Sequence, residues 1–206
     1  MVNSKSKKNK IKRINLPMTE KDVLSLNVGD IVLINGRLVT GRDRIHKFLF
    51  KEGSVQGKTP FNLKGTVLYH CGPIVKKSGR GFKIIAGGPT TSMRVEMYEH
   101  RIISKYGLRG VMGKGGMGKQ TLNALKKNRC VYFHTIGGAA AYLAERIKKV
   151  LDVWKLKEFG STEAMWLLDV RDFPAIVTMD AHGRSLHEGI EKESFRDLKK
   201  IIRIRT

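Results

Sequence analysis

Short apolar runs that end in glycine-rich junctions constrain the fold of this sequence more than any other feature. Glycine accounts for 22 of the 206 residues, and glycines cluster where a strand-like run meets a helix-like segment, as in "IIAGGPTTSMR" (84–94) and "GVMGKGGMGKQ" (110–120). Continuous apolar runs bounded by glycine indicate buried strands, whereas apolar residues three and four apart indicate helices. Repeated alternation of the two patterns is typical of an α/β domain.

The order of the predicted elements refines this class. The first two strands flank Asn35-Gly36, which predicts a two-residue hairpin turn, and Phe173-Pro174 separates the last two strands. The predicted strands lie at 31–34, 37–40, 66–71, 82–86, 110–112, 130–135, 164–170 and 175–180. The predicted helices run over about 19–26, 42–50, 91–105, 119–127, 139–151 and 193–202, and residues 51–64 are predicted to form a loop. A hairpin followed by strand–helix alternation predicts an α/β fold with mixed sheets and with helices at the strand ends.

The chain is strongly basic, with 40 Lys and Arg against 18 Asp and Glu and a formal net charge of +22. Such a field attracts phosphate backbones, anionic membranes and small anionic substrates. Residues 1–16 contain no acid and are predicted to be a basic flexible tail, which leaves 17–206 for the folded domain.

Membrane and secretory classes are not favoured by the sequence. No window approaches the ~18 to 20 consecutive apolar residues of a membrane span, and the N-terminus lacks the apolar core of a secretory signal. Cys71 and Cys130 are the only cysteines, too few and too far apart for a disulfide scaffold. We therefore expect a cytoplasmic protein that makes no membrane contact.

The loop "GKGGMGKQ" (113–120) matches the spacing of two nucleotide-binding motifs. A phosphate loop requires Ser or Thr directly after its lysine, and Gln120 occupies that position. A dinucleotide site requires an acid at the end of the following strand, and "CVYFHT" (130–135) contains none. Nucleotide binding is therefore disfavoured, and two interpretations of Lys114 remain open: a cation in an anion site or an exposed lysine in an ordinary turn.

Three strand–helix junctions carry polar residues that a turn does not require. Thr90 and Thr91 precede a predicted helix, where a hydroxyl either caps the helix or works in a site, and Arg94 follows one turn later. The other two junctions carry "GRDRIH" (41–46) and Lys114. Because ligands of α/β sheets bind at strand ends, three cations at such ends predict a site for a small polyanion, most simply a dicarboxylate.

Taken together, six motifs in this order resemble one enzyme family. They are "VGD" (28–30), "GRDRIH" (41–46), "GPTTSMR" (88–94), "GKGGMG" (113–118), "EAMWLLDV" (163–170) and "FPAIVTMDAHG" (173–183). The set resembles the β subunit of two-subunit class I fumarate hydratases, the β subunit of L-tartrate dehydratases and the C-terminal part of single-chain class I fumarases. The resemblance covers roughly residues 17–190 and implies a single swivelling β/β/α domain.

The resemblance implies a hydro-lyase with an oxygen-sensitive 4Fe–4S cluster that converts (S)-malate reversibly to fumarate. The family holds its cluster with three cysteines, and this chain has two, so the resemblance places the cluster on a partner α subunit, in an expected heterotetramer. It also implies that Thr90 is the catalytic base, and we add His46 as a second catalytic candidate. The residues expected to bind the substrate are Arg42, Asp43, Thr91, Arg94, Lys114 and Gly115, and no metal ligand is expected in this chain.

Two alternatives follow from the same sequence. The stretch "TTSMR" (90–94) is shared with tartrate dehydratases, so tartrate is an alternative substrate. The charge of +22 suggests nucleic-acid binding, but the basic tail has no aromatic residue interleaved with its lysines, as single-strand binding requires.

Overall fold

Seven strands form one mixed sheet in the order β1-β2-β3-β6-β7-β9-β8. The computed structural model describes residues 11–51 and 59–203. Because β9 pairs with β2 as well as with β7, the pairings of β2, β3, β6, β7 and β9 close on themselves. The strands of this sheet are β1 (Lys12–Asn15), β2 (Ile31–Gly41), β3 (Val67–His70), β6 (Gly110–Gly113), β7 (Val131–His134), β8 (Ile147–Trp154) and β9 (Met165–Met179). A separate antiparallel pair consists of β4 (Ile74–Ser78) and β5 (Gly81–Ala86).

Helices connect most of these strands. They are α1 (Glu20–Leu24), α2 (Asp43–Lys51), α3 (Glu96–Tyr106), α4 (Lys119–Asn128), α5 (Ala140–Glu145), α6 (Leu156–Phe159) and α7 (Leu186–Arg203), and a 3-10 helix (Ser92–Val95) precedes α3. The mixture of parallel and antiparallel strands with helices at their ends confirms the predicted α/β class with mixed sheets.

Four neighbouring strands of the sheet, β2, β3, β6 and β7, run parallel. Their carboxyl ends therefore lie side by side at one edge, which we call the carboxyl edge, formed by Gly41, His70, Gly113 and His134. Two apolar clusters support the sheet. One surrounds the buried Trp166 and Phe173, and the other joins α2, α3 and α4 to the sheet through residues such as Leu49, Ile102 and Leu125.

The predicted hairpin at Asn35-Gly36 is wrong, because residues 31–41 form the single strand β2. The Asn35-Gly36 pair instead marks a bulge in the pairing with β9. Gly36 has a φ of 102°, and a Cβ at this position would lie 2.9 Å from the Leu16 carbonyl oxygen. The glycine is therefore needed for close approach of the preceding segment, and not for a chain reversal.

The two predicted strands at 164–170 and 175–180 are also one strand, β9. Pro174 lies inside it, opposite Leu33, where a proline can donate no backbone hydrogen bond. The backbone of β9 is irregular two residues before the proline. Asp172 has a φ of 49°, and its backbone N–H donates to the Asn35 side chain at 2.9 Å. The bulges of β2 and β9 thus face each other, and the ladder continues past the proline.

The predicted helix at 139–151 ends at Glu145, and the second half of that segment is strand β8. The sequence of this half carries Ile147, Val150 and Val153, three apart, which fits a helix. In the structure these side chains pack against the core cluster of the sheet, while the backbone of β8 pairs with β9 through two register shifts. Pairing with β9 therefore overrides the local helical pattern.

The chain termini also differ from the prediction. Residues 1–10 of the predicted basic tail lie outside the described residues, whereas Lys12–Asn15 form β1 and pair with β2. That part of the predicted tail belongs to the sheet. The last helix begins at Leu186 and not near 193. In the predicted loop, residues 52–58 lie outside the described part, and residues 59–64 contain no helix or strand.

Candidate active site

Two of the predicted cations follow directly from the carboxyl edge. Arg42 comes after the last residue of β2 and Lys114 after the last residue of β6. Because β3 lies between β2 and β6 and all three are parallel, both side chains start from the same edge of the sheet. The prediction that these junctions converge is therefore consistent with the topology.

The segment that contains Thr90 inserts between the ends of β3 and β6. The Thr90 backbone N–H donates to the His70 carbonyl at 2.7 Å, and the Lys114 N–H donates to the Thr90 carbonyl at 3.2 Å. Ser92 N–H then donates to the Lys114 carbonyl at 3.0 Å, so that Thr91 and Lys114 form an isolated parallel bridge. The two threonines are thus placed beside the glycine loop by backbone hydrogen bonds.

Neither threonine caps a helix. Thr91 precedes the 3-10 helix, but its side chain makes no capping hydrogen bond. The Thr90 hydroxyl donates to the His70 carbonyl at 3.0 Å, and its side chain is half-buried at the carboxyl edge. The helix-cap interpretation of these two hydroxyls is therefore wrong, and the hydroxyl of Thr90 is held at the end of β3.

The three cations differ in their partners. Arg94 forms an ion pair with Asp43, which joins the second junction to the first, and both side chains are partly exposed. Arg42 Nε lies 3.5 Å from a carboxylate oxygen of Glu163. The Lys114 side chain makes no ion pair or hydrogen bond within the described part of the chain. Lys114 is consequently the cation most available to an incoming anion.

The position of the Arg42 side chain depends on a nearby glycine. A Cβ at Gly72 would lie 2.4 Å from Cδ of Arg42, so only glycine leaves room for the Arg42 side chain to cross that backbone. Glu163, which also accepts a hydrogen bond from the Arg44 backbone N–H at 2.9 Å, holds the first turn of α2. Sequence reasoning missed Glu163, although it opens the motif "EAMWLLDV" (163–170).

The N-terminus of α4, where a nucleotide phosphate would bind, is occupied by the chain itself. Two oxygens of the Glu96 carboxylate accept from Gly118 N–H at 2.9 Å, Thr121 N–H at 3.1 Å and the Thr121 hydroxyl at 2.7 Å. An internal carboxylate therefore takes the place of an anion at this helix end. This contact agrees with the earlier argument against a nucleotide site.

His46 lies beneath the edge and not on it. Its side chain is 0% exposed, its Nδ1 is 2.7 Å from the Arg42 carbonyl oxygen, and its Nε2 is 3.0 Å from Glu99 Oε2. His70 Nε2 approaches the same oxygen at 3.2 Å. The structure thus places His46, the second catalytic candidate, in a buried cluster. Its ring nitrogens face the Arg42 carbonyl and the Glu99 carboxylate there.

The cluster has a definite charge distribution. Burial by itself raises the pKa of Glu99, but the two histidines outweigh it and hold that pKa at about 2. Burial by itself lowers the pKa of His46, and the Glu99 carboxylate outweighs it and raises that pKa above the ordinary value. Burial lowers the pKa of His70. The Glu99 carboxylate thus favours the charged form of His46, whereas burial favours the neutral form of His70.

Sequence reasoning missed Glu99 and His70. Glu99 lies on the buried stripe of α3, four residues after Val95 and three before Ile102, both of which are buried. A carboxylate at an apolar position of an amphipathic helix was the available signal, since such a residue must find a buried partner. His70 ends the buried strand β3, and nothing in its neighbours distinguishes it from a core residue.

Two of the six motifs maintain the fold. Asp180 is buried, and its carboxylate accepts from the backbone N–H groups of Val28 at 3.0 Å, His182 at 3.0 Å and Arg184 at 3.1 Å. The motif "VGD" (28–30) is thereby joined to "FPAIVTMDAHG" (173–183). The Asp180 carboxylate thereby stabilises the turn between β9 and α7.

Both cysteines are buried and free. Burial raises the pKa of the Cys71 thiol to about 12 and raises that of Cys130 further. In the absence of a metal, both thiols therefore remain protonated at neutral pH. Among the described helices, none is long and apolar enough to cross a membrane.

Comparison with known proteins identifies relatives along most of the chain. Residues 1–190 match the family described as Fumarase C-terminus. A putative fumarate hydratase class I of Geobacillus stearothermophilus is 51% identical over 185 residues, which is 89% of this chain and 35% of that protein. The chain thus spans about a third of that relative.

Two shorter relatives match along nearly their whole length. A putative L(+)-tartrate dehydratase subunit beta of Methanocaldococcus jannaschii is 40% identical over 90% of this chain and 95% of its own. The L(+)-tartrate dehydratase subunit beta of Escherichia coli is 35% identical over 85% of this chain and 86% of its own. These relatives bear out the resemblance drawn from the six motifs.

Proposed function

Since the chain belongs to the Fumarase C-terminus family, we propose that it is the β subunit of an iron–sulfur hydro-lyase that reversibly dehydrates (S)-malate to fumarate. The observation that supports this proposal is that the segments of Thr90, Arg42, Arg94 and Lys114 are joined to one another at one edge of the sheet. Backbone hydrogen bonds join Thr90 to Lys114, and an ion pair joins Arg94 to the residue after Arg42. A small dicarboxylate carries the two negative charges that such an arrangement would bind.

In this proposal Thr90 removes the proton next to a substrate carboxylate. Loss of that proton places negative charge on the carboxylate, and fixed cations lower the cost of that charge. Arg42, Arg94 and Lys114 would supply them, while Asp43 orients Arg94, and Thr91 and Gly115 line the same loop. A threonine hydroxyl is a weak base in water, so the positive field of these residues would also have to stabilise its deprotonated form.

The residues of this chain do not fit a 4Fe–4S cluster. Its two cysteines are too few for the thiolate ligands of such a cluster, and among the described residues no group of neighbouring metal-ligating side chains includes a cysteine. We therefore assign the cluster to a partner α subunit and assign to this chain the binding of carboxylates and the handling of one proton. His46, being fully buried, would act through other residues and not on substrate.

An assembly with further subunits is supported by α7. Six large apolar side chains of this helix are more than a third exposed, namely Leu186, Ile190, Phe195, Leu198, Ile201 and Ile202. An apolar face of this size on a surface helix is typical of an interface. We propose a heterotetramer in the cytoplasm, in which α7 contributes to subunit contacts.

Tartrate is the second candidate substrate. It is favoured by the two relatives that match nearly end to end, both named as L(+)-tartrate dehydratase subunit beta, whereas the more similar relative is named as a fumarate hydratase. Both substrates are hydroxy dicarboxylates and would use the same cations.

The test is anaerobic co-expression with the candidate α subunit, followed by the kcat/KM for (S)-malate and for L(+)-tartrate. We expect turnover only when both chains are present, with malate preferred. Thr90→Ala should lower kcat by about 10²- to 10⁴-fold, the usual contribution of a general base. Thr90→Ser, which retains the hydroxyl, is the matched control and should keep most of the activity. Turnover by the isolated chain, or full activity of Thr90→Ala, would contradict the proposal.

A further inference from the structure

Five buried side chains form a continuous hydrogen-bonded and ionic series beneath the carboxyl edge, which we call the buried network. In order they are His46, Glu99, His70, Ser92 and Tyr132. The successive contacts measure 3.0 Å, 3.2 Å, 2.8 Å and 2.8 Å. Each of the five belongs to a different element: α2, α3, β3, the 3-10 helix and β7.

The donors in this network can be assigned from their partners. The Arg42 carbonyl can only accept, so Nδ1 of His46 carries a proton and donates to it at 2.7 Å. His46 Nε2 faces a carboxylate oxygen at 3.0 Å, and only a protonated nitrogen is attracted there. His46 is therefore an imidazolium ion paired with Glu99. Neither this contact nor that of His70 Nε2 with Glu99 is a hydrogen bond, so the attraction in both is electrostatic.

The remaining donors then follow in one direction. His70 Nε2 also faces the Glu99 oxygen, so it carries the proton of a neutral ring, and His70 Nδ1 accepts from the Ser92 hydroxyl. The Ser92 oxygen in turn accepts from the Tyr132 hydroxyl. The protons therefore have one arrangement along the series from Tyr132 to Glu99. Exchanging the donor and the acceptor of any pair would lose a contact.

Both ends and the middle of the network reach segments of the site. One end is the Arg42 carbonyl at the first junction, and near the other end the Ser92 backbone N–H donates to the Lys114 carbonyl in the glycine loop at 3.0 Å. In the middle, the His70 carbonyl accepts both the backbone N–H and the hydroxyl of Thr90. The network therefore spans all three junctions from below.

We propose that the buried network is a positioning device, in which His46, Glu99, His70, Ser92 and Tyr132 fix the relative placement of Arg42, Thr90 and the Lys114 loop. This inference rests on the proposed function, because it assigns a role in that reaction to residues that do not touch substrate. It gives His46 a positioning role in place of a catalytic one. A fixed proton arrangement suits this role, since a small misplacement of a catalytic group costs ~10²-fold in rate.

A divalent cation held by His46, His70 and Glu99 is the competing explanation, because these three side chains present ligand atoms within 4.8 Å of one another. Among the described His, Cys, Asp and Glu residues this group offers three ligands and no fourth, whereas a closed structural zinc site has four. One proton on His46 balances the Glu99 carboxylate without any further ligand, and we therefore argue from the protonated arrangement. Metal analysis, described below, distinguishes the two.

The first test needs no enzyme activity. Long-range ¹H–¹⁵N spectra of the full chain at neutral pH should show His46 as imidazolium and His70 as the Nε2–H tautomer, and Glu99→Gln should convert His46 to the neutral form. Metal analysis of the same sample should find no stoichiometric divalent ion. Two neutral histidines, or one bound metal per chain, would overturn the inference.

The second test uses the complex with the α subunit. Tyr132→Phe and Ser92→Ala each remove one hydroxyl from the network, and each should lower kcat by ~10- to 10²-fold with KM within about threefold of wild type. Thr66→Val is the matched control: it removes a buried hydroxyl that donates to the Arg37 carbonyl at 2.8 Å, at the amino end of β3, and kcat should not change.

Lower melting temperatures of the Tyr132 and Ser92 variants with unchanged kcat would reduce the network to a structural role and overturn the inference. Failure of the wild-type complex on both substrates would instead refute the proposed function, while the spectra would still decide on the network.

Discussion

The buried network and the carboxyl edge above it differ in how their charges are satisfied. In the network, His46 and Glu99 are 0% exposed and pair with each other. At the edge, Arg94 and Asp43 pair while 52% and 37% of their side chains remain exposed, and Lys114 has no charged partner among the described residues. A buried pair cannot exchange its partner for water, whereas an exposed pair can exchange it for a ligand. The lower layer is therefore suited to hold geometry and the upper layer to bind an anion.

The largest effect on stability should come from removing one partner of the buried pair. Glu99→Ala leaves the His46 cation without a counter-charge, and breaking such a pair costs roughly 3–5 kcal/mol. Urea unfolding of wild type and variant measures the difference in free energy of unfolding. A change below about 1 kcal/mol would show that the two layers do not differ in the way described, because that is the range of an exposed pair.

An intermediate effect should come from Gly113→Ala, which introduces a methyl group between the layers. A Cβ at Gly113 would lie 2.1 Å from Ser92 Oγ and 3.1 Å from His70 Nδ1. The Ser92–His70 hydrogen bond would have to break, and overpacking of this kind costs about 1–3 kcal/mol. Gly79→Ala is the contrasting variant. No atom lies within 4 Å of a Cβ at Gly79, so the added methyl group would meet no neighbour and would strain only the backbone, which has a φ of 57°. Urea unfolding of both variants measures the difference, and equal losses in the free energy of unfolding would contradict the special role of Gly113.

The lower layer can be followed by the pH dependence of the difference in stability between wild type and a Glu99 variant, in which the contributions of other carboxylates such as Asp180 cancel. The folded-state pKa of Glu99 is depressed to about 2 from an ordinary 4.5, so its contribution is present above pH 4.5 and is lost as the pH falls through 2. The raised pKa of His46 adds stability that is lost as the pH rises through that value. The difference in unfolding free energy between wild type and Glu99→Gln should therefore shrink on acidification below pH 4.5. A constant difference would argue that Glu99 is not ionised.

The smallest effect should come from the exposed pair. A double-mutant cycle with Asp43→Ala and Arg94→Ala should give a coupling energy in stability of about 0.2–1 kcal/mol, which falls with added salt. The same Arg94→Ala variant should raise KM for the dicarboxylate in the complex. A large coupling energy that is independent of salt would place this pair with the buried network and not with the edge.

Local signals in the sequence were sufficient for elements whose partners are close along the chain. The capping box of α1 is present, with Asp22 N–H donating to the Thr19 hydroxyl at 3.2 Å and the Asp22 carboxylate accepting from Thr19 N–H at 2.8 Å. Helices α2 and α4 also lie close to the predicted ranges. These elements depend on caps and periodicity within one segment, which the sequence displays directly.

Elements that depend on distant partners were missed or divided. The continuity of β9 past Pro174 depends on its bulged pairing with β2, more than a hundred residues earlier. At the site, the motifs correctly indicated the junctions of Arg42, Thr90 and Lys114. They did not indicate Glu99, whose function exists only because α2, α3 and β3 bring two histidines to one carboxylate. A sequence shows which side chains are unusual at their position, and only the fold shows which of them meet.

The Glu96 carboxylate at the start of α4 has a consequence for the proposed enzyme in the cell. A group tethered within the same molecule competes with free solutes at an effective concentration in the millimolar range or above. Phosphate and nucleotides would have to displace it from three donors, at 2.7 to 3.1 Å, before they could use the helix end. The start of α4 is thus closed to free anions by a carboxylate of the same chain, so that anion binding at the glycine loop would depend on Lys114 and not on the helix end.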